Sequence, residues 1–133
     1  MIRLAPLAAC LALAACATAA PTSFDSDIAG VSAAETSFFS GTVRNVYRGD
    51  GDVIFVNASG RWYRTALNEG CLDNVMSKNP TFIFESQATS KVDRFTRVGV
   101  VDGGGLPLQC QVRSIRESLA PQMVDADSIV PRG

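Results

Sequence analysis

The stretch of residues 53–67, VIFVNASGRWYRTAL, decides the fold. Residues 53–56 are the β-branched and aromatic types that strands favour, and Asn57-Ala58-Ser59-Gly60 is a cluster of turn formers. Successive side chains of residues 61–67 would point to opposite faces of a strand. One face would carry Trp62, Arg64 and Ala66, and the other Tyr63, Thr65 and Leu67. The stretch therefore predicts a β-hairpin.

Further strand-like runs flank this hairpin and are separated by Gly, Asp, Asn and Pro. They are Phe38–Tyr47, Thr81–Glu85, Phe95–Val101 and Leu108–Ile115. Residues 71–77 predict a short helix, because Leu72, Val75 and Met76 recur at helical spacing. Three strands, a helix and further strands is the order of an OB-type barrel, although an SH3-like barrel or a small β-sandwich gives a similar string. We predict a mainly β protein, a small antiparallel barrel or curled sheet with one short helix, and OB-like as the first expectation.

The N-terminus has the features of a targeting segment. Met1-Ile2-Arg3 is a short positive start, and the apolar run that follows is shorter than the ~20 residues a membrane-spanning helix needs. Leu13-Ala14-Ala15-Cys16 resembles a bacterial lipobox, in which Cys16 would be lipidated and become the first residue. Ala17-Thr18-Ala19 fits ordinary signal-peptide cleavage, which would release a soluble periplasmic protein. We expect the lipoprotein, anchored in the outer membrane and facing the periplasm.

This reading divides the chain into a signal peptide at 1–15, a flexible tether at 16–37, a β domain at 38–116 and a disordered tail at 117–133. Cys10 lies in the leader, and Cys16 would be either lipidated or removed with a longer leader. The mature domain would therefore keep only Cys71 and Cys110 as free or paired thiols. Two cysteines in a small exported domain usually form a disulfide, since that compartment is oxidising. Two buried free thiols are the alternative.

The composition argues against common catalytic centres. The sequence has no histidine, and its only lysines are Lys78 and Lys91. Nucleophilic catalysis by Ser or Cys usually needs such a base, and the common zinc, copper and haem sites need histidine. We therefore expect no cofactor, no metal and no enzymatic activity. A carboxylate-dependent hydrolase using Glu69 with Asp73 or Asp93 stays as an alternative.

One candidate ligand surface emerges from the predicted strands. Strands two and three of an OB barrel usually carry the ligand face. The residues assigned to a possible ligand face are Arg44, Arg61, Trp62, Tyr63 and Arg64. An exposed aromatic ring beside guanidinium groups could stack on a sugar and neutralise an acidic group. Residues 41–116 hold ten Lys and Arg against seven Asp and Glu, a balance too small to indicate nucleic acid.

Several short motifs occur in an order that resembles a known family. They are Gly60-Arg61-Trp62-Tyr63-Arg64, Cys71, Phe82-x-Phe84, Asp93-Arg94-Phe95, Val100-Val101-Asp102-Gly103 and Cys110-x-Val112-x-Ser114. This order resembles a family of small uncharacterised bacterial envelope proteins, a domain of unknown function, over residues 38–116. The resemblance implies a Cys71–Cys110 pair and an exported, often lipid-anchored domain. The three-glycine stretch before Leu106 departs from the pattern.

The sequence thus favours a non-enzymatic, lipid-anchored envelope protein that interacts with other envelope components. A module that binds an anionic glycan or similar oligomer is the first alternative, and the carboxylate hydrolase is the second. The expected partners are the membrane, through the N-terminal lipid, and an envelope protein or glycan.

Overall fold

The computed structural model describes residues 28–77, 79–86 and 89–124. The predicted signal peptide, Cys16, the first part of the tether and the last part of the tail lie outside the described residues. No helix within the described ranges is long and apolar enough to cross a membrane.

The described chain consists mainly of β-strands. The strands are β1 (Val31–Glu35), β2 (Phe38–Phe39), β3 (Val43–Arg48), β4 (Val53–Ala58), β5 (Arg61–Leu67), β6 (Thr81–Glu85), β7 (Lys91–Val92), β8 (Arg97–Val101) and β9 (Leu108–Ser118). A 3-10 turn spans Ser40–Thr42, and one short helix, α1, spans Pro121–Val124.

The strands form a nearly closed, barrel-like antiparallel sheet, as the sequence predicted. Its order is β3-β4-β5-β9-β8-β6, with β1 paired to β9 and a separate β2–β7 pair. The long strand β9 joins the two halves, because residues 108–111 pair with β8 and residues 112–118 pair with β5. The β3–β4 loop marks one end of the barrel, here called the Gly49 end. The β4–β5 turn marks the other, called the Ser59 end.

The predicted hairpin is present with a shorter turn. Asn57 and Ala58 continue β4 and pair with Trp62 and Arg61. Ser59 and Gly60 alone form the turn, with φ of 52° and 76°. Positive φ at both central residues is what a type I′ hairpin turn requires.

Apolar side chains from both halves of the sheet fill the barrel interior. The buried cluster includes Ile54, Val56, Tyr63, Leu67, Leu72, Val98, Val100, Cys110, Val112 and Ile115. Phe38 of β2 packs on Tyr63 and Phe84, with ring centroids 5.2 Å and 5.5 Å away. The strand alternation predicted for residues 61–67 is therefore correct for Tyr63 and Leu67.

The predicted helix at residues 71–77 is wrong, since the segment forms consecutive turns. Arg48 donates hydrogen bonds to the carbonyls of Leu72 and Val75, and the Asp52 carboxylate accepts one from the N–H of Leu72. These contacts hold the backbone of the segment in its turns and satisfy its polar groups. Leu72 and Val75 do reach the core, as their spacing indicated, whereas Met76 is exposed.

The sheet begins earlier and ends later than the predicted domain. Strand β1 lies within the segment assigned to the tether, and it pairs with β9 through Val31–Ser118 and Glu35–Arg116. Strand β9 and helix α1 extend into the segment assigned to the tail. Because β1 is mostly exposed and rich in small residues, only its backbone pairing with β9 distinguishes it from a tether.

Candidate functional site

The outer surface of the barrel carries a row of side chains that the register aligns across the strands. Consecutive Cα partners are Tyr47, Phe55, Arg64, Arg116 and Glu35, from β3, β4, β5, β9 and β1 respectively. Directly opposed residues of antiparallel strands share one face of the sheet. The row therefore places two arginines side by side on the outer face, next to aromatic residues.

Tyr47 of this row stacks on Trp62, which lies two residues before Arg64 on β5. Their ring centroids are 5.6 Å apart and their planes 28° from parallel, although β4 lies between their strands. Strands two apart are separated by roughly 9.5 Å, so the rings lean toward each other over β4. Phe55, on the same face of β4, is fully buried. Tyr47 is the Cα partner of Phe55, and a Cβ built at Gly49 would lie 2.8 Å from the Phe55 ring.

The structure brings together only part of the predicted ligand face. Trp62 and Arg64 share the outer face and are both half-buried, whereas Tyr63 is buried in the core. Arg44 lies exposed in an irregularity between Val43 and Asn45, near the Ser59 end. Arg61 also lies at the Ser59 end and forms an ion pair with Glu117, with 3.8 Å between Nη1 and Oε2.

Two residues of the outer face were missed from the sequence. Tyr47 belongs to β3, which β4 separates from β5, and Arg116 belongs to β9, which pairs with β5. The alternation of β5 indicated which of its side chains face outward, but the register with β3 and β9 is a long-range property. We name the set Tyr47, Trp62, Arg64 and Arg116 the aromatic–arginine face.

Arg64 and Arg116 are held within the fold, since each interacts with neighbouring groups. A guanidinium has five N–H donors in a rigid plane, so it can keep a contact within the protein and still donate to a ligand. Carboxylates and phosphates match its paired donors. The aromatic–arginine face thus combines flat apolar rings with donors suited to anions.

A concavity lies on the other half of the sheet. A cavity of about 680 Å³ opens between the end of β6, β7 and the turn that precedes β8. Its charged lining residues are Glu85, Lys91, Asp93 and Arg97. Asp93 accepts a hydrogen bond from the Phe95 N–H at 2.9 Å, which closes the turn at residues 93–96. Because the lining residues include two of each sign, the cavity favours neither anions nor cations.

The remaining predicted acids do not join Asp93 in this cavity. Glu69 and Asp73 are exposed in the turns after β5, at the Gly49 end. In the described part of the chain, no group of three or more His, Cys, Asp or Glu side chains is arranged to hold a metal ion.

The two cysteines of the β domain form a disulfide. Cys71, in the turns after β5, is bonded to Cys110 of β9, with Cα atoms 5.9 Å apart. The bond ties the segment at residues 71–77 to the strand that joins the two halves of the sheet. Cys110 is buried in the core.

Comparison with known proteins identifies the family. The model of a family of unknown function, DUF6491, matches residues 1–128. The chain belongs to DUF6491. No curated protein and no solved structure gives a significant match. The DUF6491 match extends beyond the residues 38–116 over which the motifs resembled a family, and it includes the predicted leader and β1.

Within the described residues, the aromatic–arginine face places two stacked aromatic rings beside two guanidinium groups. The aromatic–arginine face can stack on a flat apolar surface while two guanidinium groups bind acidic substituents beside it. This pairing suits binding of an extended anionic ligand along the outside of the barrel.

Proposed function

We propose that this DUF6491 protein is a non-enzymatic, lipid-anchored component of the bacterial cell envelope that binds an anionic oligosaccharide. The binding surface in this proposal is the aromatic–arginine face. The observation that carries it is the position of the Tyr47–Trp62 stack beside the opposed pair Arg64 and Arg116.

The spacing of these groups suits a repeating ligand. Directly opposed residues have Cβ atoms about 4.5–5.5 Å apart, so both guanidinium groups can reach one acidic group or two neighbouring ones. Trp62 precedes Arg64 by two residues on the same face, which is about 7 Å along the strand. A sugar ring on the aromatic pair would therefore place an adjoining acidic residue over the arginines.

The sequence and the disulfide support the proposed location in the cell envelope. Leu13-Ala14-Ala15-Cys16 has the form of a lipobox. The Cys71–Cys110 disulfide fits the oxidising conditions outside the cytoplasm. Absence of histidine from the whole sequence favours binding over acid–base catalysis.

Calorimetric titration with an oligogalacturonate tests the binding proposal. We expect saturable binding that weakens with added salt, because the arginine contacts are electrostatic. Charge-assisted hydrogen bonds contribute about 1.5–3 kcal/mol, so Arg64→Gln and Arg116→Gln should each weaken binding roughly tenfold or more. Arg113→Gln is the matched control, since Arg113 lies exposed on β9 outside this face. Equal losses for all three variants, or binding insensitive to salt, would contradict the proposal.

Fractionation of the native host tests the anchor separately. We expect the protein in the membrane fraction, with an acylated N-terminal peptide that begins at Cys16. Cys16→Ser should release the protein or block its processing, whereas Cys10→Ser, within the leader, should leave it in the membrane fraction. A soluble wild-type protein whose N-terminus lies beyond Ala19 would contradict the lipid anchor.

A further inference from the structure

The cavity beside β6, β7 and β8 is lined by one acid and one base from each of two chain segments. Glu85 of β6 and Arg97 of β8 are Cα partners, so their side chains share the outer face of the sheet. Lys91 and Asp93 lie in β7 and directly after it, and both line the same cavity. Val92 between them is fully buried, so these two side chains point away from the core. Charges of both signs therefore line one space.

The two basic side chains of this cavity are available to a ligand. Within the described residues, the side chains of Lys91 and Arg97 have no hydrogen-bond or ion-pair partner. Glu85 lies directly opposite Arg97, but it accepts a hydrogen bond from Nε2 of Gln109 at 3.2 Å instead. Arg97 thus keeps its planar set of five donors, which matches the two oxygens of a carboxylate.

The turn at residues 93–96 fixes the acid that faces these bases. Oδ1 of Asp93 accepts a hydrogen bond from the N–H of Phe95 at 2.9 Å. Gln111 of β9 ties the turn to the sheet, because its Nε2 donates to two carbonyls of the turn at 3.1 Å and 3.2 Å. A carboxylate has about four acceptor sites, so Asp93 can still accept from an ammonium group. The cavity therefore contains a carboxylate whose position is set by the fold.

Neutral groups complete the lining of the cavity. Ser86 and Thr89 contribute hydroxyls, which can donate to or accept from peptide groups. The ring of Phe95 also lines the cavity and is 74% exposed, so it offers an apolar surface to a small side chain. The volume of about 680 Å³ lies within the range of small-molecule sites. These features suit a molecule larger than a simple ion.

The mixed charge of the lining selects against ligands of one sign. An anion would meet Glu85 and Asp93, and a cation would meet Lys91 and Arg97. Either ligand would lose by like-charge repulsion much of what it gains from the opposite charges. A zwitterion avoids this loss, because each of its charged groups can bind a residue of opposite sign.

We propose that this cavity binds a short peptide with free termini. Arg97 binds the terminal carboxylate through paired hydrogen bonds, and Asp93 binds the terminal ammonium group. The hydroxyls of Ser86 and Thr89 bind peptide groups between the two ends. The site lies on a different half of the sheet from the aromatic–arginine face, and it depends neither on the lipid anchor nor on binding of an oligosaccharide.

Titration of the isotope-labelled, disulfide-bonded protein with trialanine, followed by two-dimensional NMR, tests this proposal. We expect saturable shifts of the amide signals of Phe95 and Gln111, which border the cavity. N-acetyl-trialanine lacks the ammonium group and trialanine amide lacks the carboxylate, so each should bind about fivefold more weakly or worse. Free alanine should also bind more weakly than trialanine, because it has no peptide groups for the hydroxyls.

Two variants assign the ends of the peptide. Arg97→Gln should weaken trialanine about fivefold or more but leave trialanine amide unaffected, because that ligand has no carboxylate. Asp93→Asn keeps an oxygen for the N–H of Phe95 and should weaken trialanine but not N-acetyl-trialanine. Arg113→Gln and Asp73→Asn, the same charge changes at exposed sites elsewhere, should bind trialanine as the wild type does.

Absence of saturable shifts with trialanine would overturn the proposal, and so would shifts confined to signals outside the cavity. Equal affinities for trialanine, its two capped forms and alanine would show that neither the termini nor the peptide groups are recognised. Equal losses in the control variants would also contradict the assigned site. The capped peptides are tested on the unaltered protein, so their result holds even if a variant fails to fold.

Discussion

The rings of Tyr47 and Trp62 stack across β4, at 5.6 Å between centroids. Phe55 lies beneath them with no exposed surface, so a large aromatic side chain is buried on each side of the sheet in this region. The barrel therefore has a small apolar layer outside its main core. The arginines of the candidate site lie on β5 and β9, and the pairing of these two strands fixes their register.

Close packing of Gly49 on Phe55 gives the first prediction. A Cβ added at Gly49 would lie 2.8 Å from the Phe55 ring, whereas one added at Gly41 would meet nothing within 4 Å. Gly49→Ala should lower the free energy of unfolding by about 1–3 kcal/mol, as overpacking does. Gly41→Ala should leave it nearly unchanged. Urea unfolding of the two variants checks this, and equal stabilities would refute the packing described here.

Thr65 gives a prediction of the opposite sign. Its side chain is fully buried on β5, and Oγ1 has no hydrogen-bond partner among the described residues. An unsatisfied buried hydroxyl costs about 1–3 kcal/mol, and valine has nearly the same shape without it. Thr65→Val should raise the unfolding midpoint in urea. A lower midpoint would mean that the hydroxyl has a bound partner.

The hairpin and the sixth strand were accessible from the sequence, because local pattern determines them. Two strand-like runs flank a Ser-Gly turn within residues 53–67, and Thr81–Glu85 is a strand with the predicted bounds. The prediction placed Asn57 and Ala58 in the turn, because asparagine is common in turns and alanine is not a residue that strands favour. In the structure, Ser59 and Gly60 have positive φ and form the whole turn. Asn57 and Ala58 therefore belong to strand β4.

Other features depend on partners far along the chain and could not be read from local pattern. Strand β1 has a single large apolar residue, Val31, and becomes a strand through its pairing with β9. The segment at residues 71–77 has helical spacing, but Arg48 and Asp52 bind its backbone as turns. The candidate site also depends on distant partners. Trp62 and Arg64 were predicted together from the alternation of β5 alone, whereas the positions of Tyr47 and Arg116 depend on how β3, β4, β5 and β9 pair.

Loss of the Cys71–Cys110 bond gives the third prediction. The cysteines are 39 residues apart, and removal of a native disulfide from a small domain costs about 2–5 kcal/mol. Cys110→Ala, which keeps an apolar group in the core, should lower the free energy of unfolding, measured in urea, by an amount of this order. Reduction of the wild-type protein should give a similar decrease. Free thiols in denatured, unreduced protein from the periplasm would contradict the bond.

Fluorescence of Trp62 tests the central claim, that the aromatic–arginine face binds an anionic oligosaccharide. Trp62 is the only tryptophan in the sequence, and it is half-buried, so its emission reports on this face alone. The predicted result is a saturable change in emission and reduced quenching by acrylamide when an oligogalacturonate is added. Salt should reverse both effects, and a neutral oligosaccharide of equal length should produce neither. Emission and quenching that stay unchanged by the acidic oligosaccharide, in a protein whose disulfide is intact, would contradict the claim.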